Sequence, residues 1–465
     1  MSDVITTNVL VIGGGPGGYV AALRAGQLGL ETVIVDADGL GGACLNRGCI
    51  PSKALIHAAE TYASMTRAAS GAGSMGIRLS ASPILDFPET IRWKDGIVRR
   101  LSTGVGALLK RARVRHIAGR AVFSDAKTCT VEQDGKTLTI RAQNVILATG
   151  ARPAELKHLP FGGDVISSTE ALSLDRPPEH LVVVGAGYIG LELGQAFAKL
   201  GSQVTIVEAQ GRILPGFDAE LAQPVLKALT RDGIALHLSA KAMAATEKGL
   251  EVETADGARQ VLPADKILVT VGRRPVTDGF GLENMGVDLS GPFISVDSRL
   301  RTSMRGVYAI GDVTGEPMLA HRASAQGELV AEVIAGKNRA FDPVAIPAVC
   351  FTDPEIVSVG LTLSEAEDKG YAAQVALFPF QANGRALTLG ESDGFVRIVS
   401  ARDDGRVLGV QAVGAHVSEL SGEFTLALEM GAVLEDLAGV IHAHPTLGEA
   451  FLESALKALG HPLHA

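Results

Sequence analysis

One pattern occurs twice along this chain, and it limits the possible folds more than any other feature of the sequence. In each copy an apolar run leads into a G-x-G-x-x-G motif, and a second apolar run then ends in an acid 23 residues after the first glycine. The first copy contains Gly13, Gly15, Gly18 and Asp36, and the second contains Gly185, Gly187, Gly190 and Glu208. A strand, a glycine turn, a helix and a second strand ending in an acid form a dinucleotide-binding βαβ unit, so the repeat predicts two such units.

The residue types of the motif suit a nucleotide ligand. Glycines permit a tight turn and let a pyrophosphate approach the N-terminus of the next helix, where unpaired N–H groups favour anions. A carboxylate at the end of the second strand is placed to accept hydrogen bonds from a ribose. Because an acid repels a 2′-phosphate, Glu208 favours NAD over NADP at the second unit. The alternative is a pair of glycine-rich turns without a ligand, but both copies carry the complete surrounding pattern.

The rest of the chain divides around these units. Apolar runs that end in glycine close each unit, at residues 144–150 and 267–272, and a third such run at 306–311 lies outside both. We expect mostly helix over residues 54–112 and short strands over 114–142. After about residue 346, strand and helix patterns mix without another glycine motif, which indicates an α+β domain of different purpose. We therefore predict an α/β chain with four parts, namely 1–150, 151–275, 276–345 and 346–465.

The charge balance excludes several classes of partner. The net charge is −9, and no run of Lys and Arg provides the basic patch of a nucleic-acid-binding or membrane-surface protein. The N-terminal sequence shows no basic segment of a signal peptide, and no uncharged apolar stretch approaches the roughly 18 residues of a membrane span. We therefore expect a cytoplasmic protein that binds neither nucleic acid nor a membrane.

Two of the four cysteines, Cys44 and Cys49, lie five residues apart just before a helix-forming segment. Such positions point about 140° apart on an ideal helix, so a disulfide between them needs a distorted helix entry, which Gly48 would permit. Because a thiolate is favoured near a helix N-terminus, the pair fits a reversible redox couple. The alternatives are two buried free thiols or half of a zinc site, but no second Cys/His pair has ligand spacing, so we predict no metal. Cys129 and Cys350 are expected to be inert.

A second group of candidate residues lies near the C-terminus, where His442, His444 and Glu449 fall within eight positions. Thr446-x-x-Glu449 before an apolar helix predicts a capping box, which would explain Glu449 without any function. A thiol–disulfide reaction, however, needs a base for the thiol proton, and imidazole titrates in the right range. A carboxylate five residues after His444 would orient the ring, so Glu449 is expected to do both jobs. His442 is the lesser candidate for the base.

Together these motifs resemble those of the disulfide-oxidoreductase flavoproteins. Eight segments carry the resemblance over nearly the whole length, namely GGGPGG, GGACLNRGCIPSK, GAGYIGLELG, VGRRP, AIGDVTGEPMLAHRASAQG, FTDPEIVSVGLT, NGRALTLGESDGFVRIV and HAHPTLGEA. The cysteine and histidine segments are highly specific, and the glycine motifs are less so. The resemblance implies two Rossmann-like dinucleotide-binding domains, the first for FAD and the second for NAD, and a C-terminal α+β dimerisation domain. Residues 276–345 would form a central domain that completes the FAD site.

The same resemblance implies roles for individual residues. FAD would be held by Gly13, Gly15, Gly18 and Asp36, with Gly119, Thr149, Gly150, Asp312 and Ala320 along its path, and Lys53, paired with Glu192, beside the flavin. NAD would be held by Gly185, Gly187, Gly190, Glu208, Gly272 and Arg273. Two positions depart from the usual family pattern, Asp36 in place of Glu and Ala43 in place of Thr. Both changes are small, and a shorter acid still reaches a ribose.

Within the family, the motifs are most similar to those of the branch that oxidises protein-bound dihydrolipoyl groups and reduces NAD⁺. The resemblance implies that Cys44 exchanges with the dithiol, that Cys49 faces the flavin, and that His444, held by Glu449, is the acid–base. It also implies a homodimer in which His444 serves the neighbouring subunit's cysteines, and a lipoylated acyltransferase of a 2-oxo acid dehydrogenase complex as partner. Two alternatives are an NAD(P)H-dependent reductase of another disulfide, such as glutathione, and a non-catalytic flavoprotein subunit.

Overall fold

The computed structural model describes residues 4–72, 75–133 and 135–464. Its first part forms a sheet in the order β3-β2-β1-β6-β5-β4, in which β1, β2, β3 and β6 are parallel. Leu10 and Val11 of β1 are fully buried, as expected for a parallel strand covered on both faces. The elements are β1 (Val4–Ile12), α1 (Pro16–Gln27), β2 (Thr32–Asp36), α2 (Gly42–Arg47), α3 (Cys49–Ala69), α4 (Phe87–Arg111), β3 (Arg115–Ala118), β4 (Ala121–Asp125), β5 (Thr128–Gln133) and β6 (Lys136–Leu147).

The second part repeats this arrangement. Its parallel sheet has the order β11-β10-β9-β15-β8, and β12, β13 and β14 form a separate antiparallel sheet. The elements are β7 (Ala151–Pro153), β8 (Val165–Ile166), α5 (Ser168–Ala171), β9 (His180–Val184), α6 (Tyr188–Lys199), β10 (Gln203–Val207), α7 (Ala219–Arg231), β11 (Ala235–His237), β12 (Lys241–Thr246), β13 (Gly249–Glu253), β14 (Arg259–Pro263), β15 (Lys266–Val269) and β16 (Arg273–Pro275). The order β11-β10-β9-β15 matches β3-β2-β1-β6, so the duplicated motif corresponds to a duplicated Rossmann-like unit and the α/β fold class is confirmed.

The segment after β16 returns to the first sheet. Its elements are β17 (Leu289–Ser290), β18 (Phe293–Ile294), β19 (Val307–Ala309) and α8 (Ala320–Ile334), with 3₁₀ turns at Leu282–Asn284 and Gly311–Thr314. Strand β19 pairs with β6, and α8 packs against α1 so closely that a Cβ on Gly327 would lie 2.4 Å from the Gly17 carbonyl oxygen. This packing brings the 3₁₀ turn and the start of α8 to the carboxyl edge of the first sheet.

The C-terminal part is an antiparallel sheet in the order β20-β21-β24-β23-β22 with helices packed on it, as predicted for an α+β domain. The elements are β20 (Ala348–Cys350), β21 (Glu355–Gly360), α9 (Leu363–Asp368), β22 (Ala373–Pro379), α10 (Gly384–Leu389), β23 (Phe395–Ala401), β24 (Val407–Gly414), α11 (Ser421–Glu429), α12 (Leu434–Gly439) and α13 (Glu449–Ala458), with 3₁₀ turns at Phe380–Ala382 and Val417–Leu420. Its core centres on Phe424 and Phe451, whose ring centroids lie 4.8 Å apart.

Two local expectations agree with the structure. The segment 54–112 is mostly helical, in two helices, because α3 ends at Ala69 and α4 begins at Phe87, where Asp86 caps the helix by accepting the Glu89 N–H. The short strands expected over 114–142 are present as β3 to β6. Among the described residues, no helix combines the length and the apolar character needed to cross a membrane.

Candidate active site

The first glycine turn combines two kinds of glycine. A Cβ on Gly13 would lie 2.2 Å from the Ala148 carbonyl oxygen, and one on Gly18 would lie 1.8 Å from the Gly13 oxygen. These two glycines therefore allow strand, turn and helix to pack together. Gly15, at the N-terminus of α1, is different, because the nearest atom to its Cβ would be the Gly42 Cα at 3.9 Å. The middle glycine thus leaves space over the helix N-terminus.

The second glycine turn shows the same division. A Cβ would lie 2.8 Å from the Thr270 carbonyl oxygen at Gly185 and 2.2 Å from the Gly185 oxygen at Gly190. No atom of the described residues lies within 4 Å of the Cβ position of Gly187, which precedes α6. Both turns therefore present an open helix N-terminus suited to a pyrophosphate.

The two strand-end acids also make matching contacts. Asp36 Oδ2 accepts the Gly14 N–H and its Oδ1 accepts the Asp38 N–H at 2.9 Å. In the second unit Glu208 Oε2 accepts the Ala186 N–H at 2.7 Å and Oε1 accepts the Gln210 N–H at 2.8 Å. Each acid therefore binds the backbone of its own glycine turn and the backbone N–H two residues after itself.

A cavity of about 690 Å³ begins at the first glycine turn and ends at the cysteine pair, within the size range of ligand pockets. Most residues expected to hold FAD line it. They are Gly13, Gly15, Asp36, Lys53, Gly119, Thr149, Gly150, Glu192, Asp312 and Ala320, together with Cys44 and Cys49. Arg273, expected to bind NAD, also lines this cavity. Gly18, Gly185, Gly187, Gly190, Glu208 and Gly272 are not among the described residues that line it.

The cysteine pair lies at a break between two helices. Helix α2 ends at Arg47, Gly48 leaves helical geometry with φ −140° and ψ −109°, and α3 begins at Cys49. The break supplies the distorted helix entry that the spacing required. Both cysteines are free thiols in the structure, and both line the cavity.

The two thiols interact directly and differ in acidity. The hydrogen bond that Cys44 donates to Cys49, together with burial, raises the pKa of Cys44. The same hydrogen bond, helped by the charge of Lys53, lowers the pKa of Cys49 to about 7 against the effect of burial. Cys49 is therefore the thiolate of the pair. Cys129 and Cys350 are fully buried, and burial raises the pKa of each to about 12, which agrees with inert thiols.

Lys53 and Glu192 form an ion pair beside the cysteines. Lys53 Nζ, one turn after Cys49 on α3, lies 2.7 Å from Glu192 Oε2 on α6. Glu192 is only 4% exposed, and its other oxygen accepts the Phe351 N–H at 2.9 Å. The Phe351 ring also lies under the ammonium group, 4.4 Å from Nζ to the ring centroid. Three parts of the chain therefore fix one positive charge at the cavity wall.

Other groups complete the cavity wall. Arg273 donates from Nη2 to the Ala151 carbonyl oxygen, and its Nε lies 4.0 Å from Asp312 Oδ2. Burial raises the pKa of Asp312, whereas the charge of Arg273 opposes the rise. Tyr188, the first residue of α6, reaches this cavity from the second glycine turn, and burial raises its pKa to about 12.

His444 and Glu449 form the expected pair. His444 Nδ1–H donates to Glu449 Oε1 at 2.9 Å, and Glu449 Oε2 accepts the Thr446 N–H at 2.7 Å. Although burial opposes it, these contacts lower the pKa of Glu449, which keeps the carboxylate ionised. The His444 side chain is 79% exposed, so Nε2 faces outward.

The prediction of a capping box at Thr446 is wrong. Helix α13 begins at Glu449 and its N-cap is Gly448, so Thr446 lies before the helix rather than at its cap. The Thr446 hydroxyl donates to the Ala443 carbonyl oxygen instead. Only one of the two hydrogen bonds of a capping box is present, the one that the Thr446 N–H donates to Glu449.

The structure also separates the two histidines. His442 is 7% exposed at its side chain, and its ring nitrogens contact Glu423 Oε1 at 3.0 Å and the Val440 carbonyl oxygen at 3.1 Å. Both nitrogens are therefore occupied within the domain. His444 is the histidine with a nitrogen available for a substrate.

Two family models match the chain. One, described as pyridine nucleotide-disulphide oxidoreductase, covers residues 7–327, and the other, described as the dimerisation domain of the same family, covers residues 346–455. The chain belongs to the pyridine nucleotide-disulphide oxidoreductase family. It is an oxidoreductase with the dimerisation domain that the sequence predicted.

Relatives and solved structures agree with this family. A dihydrolipoyl dehydrogenase of Pseudomonas aeruginosa is 56% identical over 465 residues, which is all of both chains. Another from Geobacillus stearothermophilus is 46% identical over 464 residues, 99% of this chain and 98% of its own. Among solved structures, LpdA of Mycobacterium tuberculosis superposes with a TM-score of 0.89 at 30% identity over 97% of this chain and 99% of its own. The HOCl-induced flavoprotein disulfide reductase RclA of Escherichia coli gives 0.85 at 26% identity over 96% and 99%.

Sequence reasoning missed two members of this disulphide oxidoreductase site. Tyr188 was detectable, because it follows Gly187 directly and therefore begins the helix at the second glycine turn. Phe351 begins the FTDPEIVSVGLT segment of the resemblance, but nothing in the sequence places it beside Glu192, since its N–H reaches Glu192 across 159 positions of the chain. A backbone contact of that range leaves no periodicity in the sequence.

Proposed function

We propose that this chain oxidises protein-bound dihydrolipoyl groups to lipoyl groups and reduces NAD⁺, as a dihydrolipoyl dehydrogenase. The observation that carries the proposal is the cysteine pair on the cavity wall, with the Cys49 thiolate stabilised beside the Lys53–Glu192 pair. A dithiol substrate requires such a pair as its exchange partner. The relatives from Pseudomonas aeruginosa and Geobacillus stearothermophilus, both named dihydrolipoyl dehydrogenase, support the choice of substrate.

The residues of the first cavity fit FAD. Its volume, the open helix N-terminus at Gly15 and the strand-end carboxylate of Asp36 suit the pyrophosphate and ribose of a dinucleotide. The second turn offers the same features to NAD through Gly187 and Glu208. When bound, FAD carries two electrons from the cysteine pair to the nicotinamide of NAD⁺.

In the proposed reaction the cysteine pair begins as a disulfide. A substrate thiolate attacks the Cys44 sulfur, which breaks the Cys44–Cys49 bond and releases Cys49 as a thiolate. The second substrate thiol loses its proton to His444 Nε2 and attacks the substrate sulfur bound to Cys44. This forms the substrate disulfide and releases Cys44, so two electrons pass from the substrate to the pair. Lys53 stabilises the Cys49 thiolate, and Glu449 stabilises the protonated His444 through Nδ1.

We further propose that two chains are needed for one complete site. No described residue beyond Ala323 lines the cavity, whereas His444 lies exposed in the dimerisation domain with Nε2 directed outward. His444 of one subunit would therefore act on Cys44 of the other. Because the proposed substrate group is protein-bound, we also propose a lipoylated acyltransferase of a 2-oxo acid dehydrogenase complex as partner. We also propose a cytoplasmic location.

The decisive experiment is a visible spectrum of the purified protein during anaerobic titration with dihydrolipoamide. We expect a flavin band that gains long-wavelength absorption as the Cys49 thiolate forms, followed by NADH on addition of NAD⁺. A protein that stays unreduced by dihydrolipoamide, but oxidises NADPH with glutathione disulfide, would contradict the proposal.

A further inference from the structure

A second layer of polar contacts continues outward from the Lys53–Glu192 pair along the same two helices. Lys53 and Glu60 are seven residues apart on α3, and Glu192 and Lys199 are seven apart on α6, so each pair lies on one face, about two turns apart. The charges are reversed at the outer layer, where Lys199 Nζ on α6 lies 3.7 Å from Glu60 Oε1 on α3. The Lys199 side chain is only 8% exposed.

The 351–353 segment of the dimerisation domain runs along both layers. At the inner layer the Phe351 N–H donates to Glu192 Oε1 at 2.9 Å. At the outer layer Asp353 Oδ2 lies 2.6 Å from Lys199 Nζ. The segment thus joins the two layers, and its position decides whether Glu192 keeps its backbone donor.

Gln195 lies between the layers, one turn after Glu192 on α6. Its Oε1 accepts the Asp353 N–H and its Nε2 donates to the Asp353 carbonyl oxygen, each at 2.9 Å. Gln195 is 3% exposed, so its amide is shielded from solvent. It therefore holds the main chain of one residue through both polar groups, as a neighbouring β-strand would.

The α6 side of these contacts is buried. Glu192, Gln195 and Lys199 are 4%, 3% and 8% exposed, whereas the Glu60 and Asp353 side chains are 45% and 34% exposed. These five residues and Phe351 also line a gap of about 10 Å³, the lower limit of what one water molecule needs. Because the polar groups on α6 are shielded, solvent replaces a broken contact poorly there, and the loss of one contact disturbs its neighbours.

We propose that Gln195 and Lys199 are positioning residues for the Cys49 thiolate. By holding Asp353 they fix the Phe351 N–H on Glu192, and Glu192 in turn fixes the Lys53 ammonium near the Cys49 sulfur. The inference rests on the proposed function for the roles of Cys49 and Lys53, but its test needs no turnover.

The charged and titratable groups that face Cys49 determine in which direction its pKa would change. These are Cys44 on α2, Lys53 on α3, and Tyr188 and Glu192 on α6. Lys53 lowers the pKa of Cys49, and Glu192 raises it. If Glu192 loses the Phe351 N–H, its charge is less compensated and Lys53 is less restrained. Both effects disfavour the thiolate, so the pKa of Cys49 rises.

The test measures the pH dependence of iodoacetamide alkylation of Cys49 in the flavin-loaded protein, on a Cys44→Ser background. Gln195→Leu and Lys199→Met are each expected to raise the pKa of Cys49 by about 0.5–1 unit, a several-fold loss of thiolate near pH 7. Lys199→Arg is expected to restore the parent value. Gln223→Leu and Lys227→Met, which remove the same groups from exposed positions of α7, serve as matched controls and are expected to change nothing.

The outcomes separate the inference from the proposed function. If Gln195→Leu and Lys199→Met retain the near-UV circular dichroism of the parent and titrate within about 0.2 unit of it, the inference is overturned. If Gln195→Leu does not fold, Lys199→Met and Asp353→Asn decide, since Asp353→Asn keeps both main-chain contacts of Gln195. Lys53→Met calibrates the assay. If it leaves the pKa of Cys49 unchanged, the proposed role of Lys53 itself is wrong.

Discussion

Lys53 and Glu192 lie 2.7 Å apart across the boundary between the two dinucleotide-binding units, although 139 positions separate them in the chain. The pair joins α3, which starts at Cys49, to α6, which starts at the second glycine turn. One ion pair therefore links the cysteine chemistry, the first cavity and the NAD unit. Its contacts lead to testable consequences for stability as well as for reactivity.

Lys53→Met is expected to destabilise the protein, because it leaves the buried Glu192 carboxylate with the Phe351 N–H but without its counter-charge. A loss of about 3 kcal/mol is typical for one partner of a buried pair. Urea unfolding followed by tryptophan and flavin fluorescence measures it. The double variant Lys53→Met/Glu192→Gln removes both charges and should recover most of the loss. A single variant as stable as the parent would contradict this account of the pair.

Cys49→Ser is expected to abolish dihydrolipoamide-dependent NAD⁺ reduction while FAD remains bound, since the variant cannot form the disulfide that accepts the two electrons. The measurement is the flavin-to-protein ratio together with NADH formation. Cys129→Ser, at a buried thiol remote from the cavity lining, is the control for loss of a sulfur and should keep turnover. Turnover in Cys49→Ser above background would rule out the proposed electron route.

His444→Gln is expected to lower kcat by about 10²–10⁴-fold with flavin content unchanged, because a general base typically contributes that much. His442→Gln, two positions earlier in the chain, provides a matched comparison. It is expected to cost far less, since both ring nitrogens of His442 are bound within its own domain. Steady-state rates for both variants decide. Equal losses would show that His444 acts only in folding or dimer assembly.

The reactivity of the reduced pair is expected to rise with pH through about pH 7, where Cys49 loses its proton. Because the pKa of Cys49 is lowered from 9.0, its thiolate contributes stability that is present above pH 9 and lost as the pH falls through about 7. Cys44, whose pKa is raised, stays a thiol throughout. Alkylation rates and the long-wavelength absorbance should share one midpoint. A midpoint near 9 would mean that Lys53 and Cys44 do not stabilise the thiolate.

The two glycines of the second turn are expected to respond differently to alanine. Gly187→Ala should leave stability unchanged and raise the KM for NAD⁺, because its Cβ meets no described atom within 4 Å and points into the ligand space. Gly185→Ala should destabilise the protein by at least about 1–2 kcal/mol, since φ is +103° and the Cβ would lie 2.8 Å from the Thr270 oxygen. Thermal unfolding and NAD⁺ kinetics separate the two effects. Equal stability loss in both would mean that Gly187 also serves packing.

The sequence predicted those parts of the site that depend on local pattern. The glycine turns, the strand-end acids and the cysteine pair at a helix entry all follow from spacing within a few tens of residues. The prediction of a capping box was wrong because the motif does not show where the helix starts, and α13 starts three residues after Thr446. The contacts of Phe351 and Asp353 with α6 join residues more than 150 positions apart, and such contacts depend on how finished domains pack.

The strand-end acids have a consequence for coenzyme engineering. Glu208 holds the Ala186 N–H of the glycine turn as well as the Gln210 N–H. Replacing it with a neutral or basic residue to admit a phosphorylated coenzyme would therefore also release the loop that shapes the phosphate cradle. A successful redesign toward NADPH has to supply a new acceptor for the Ala186 amide before it adds any positive charge.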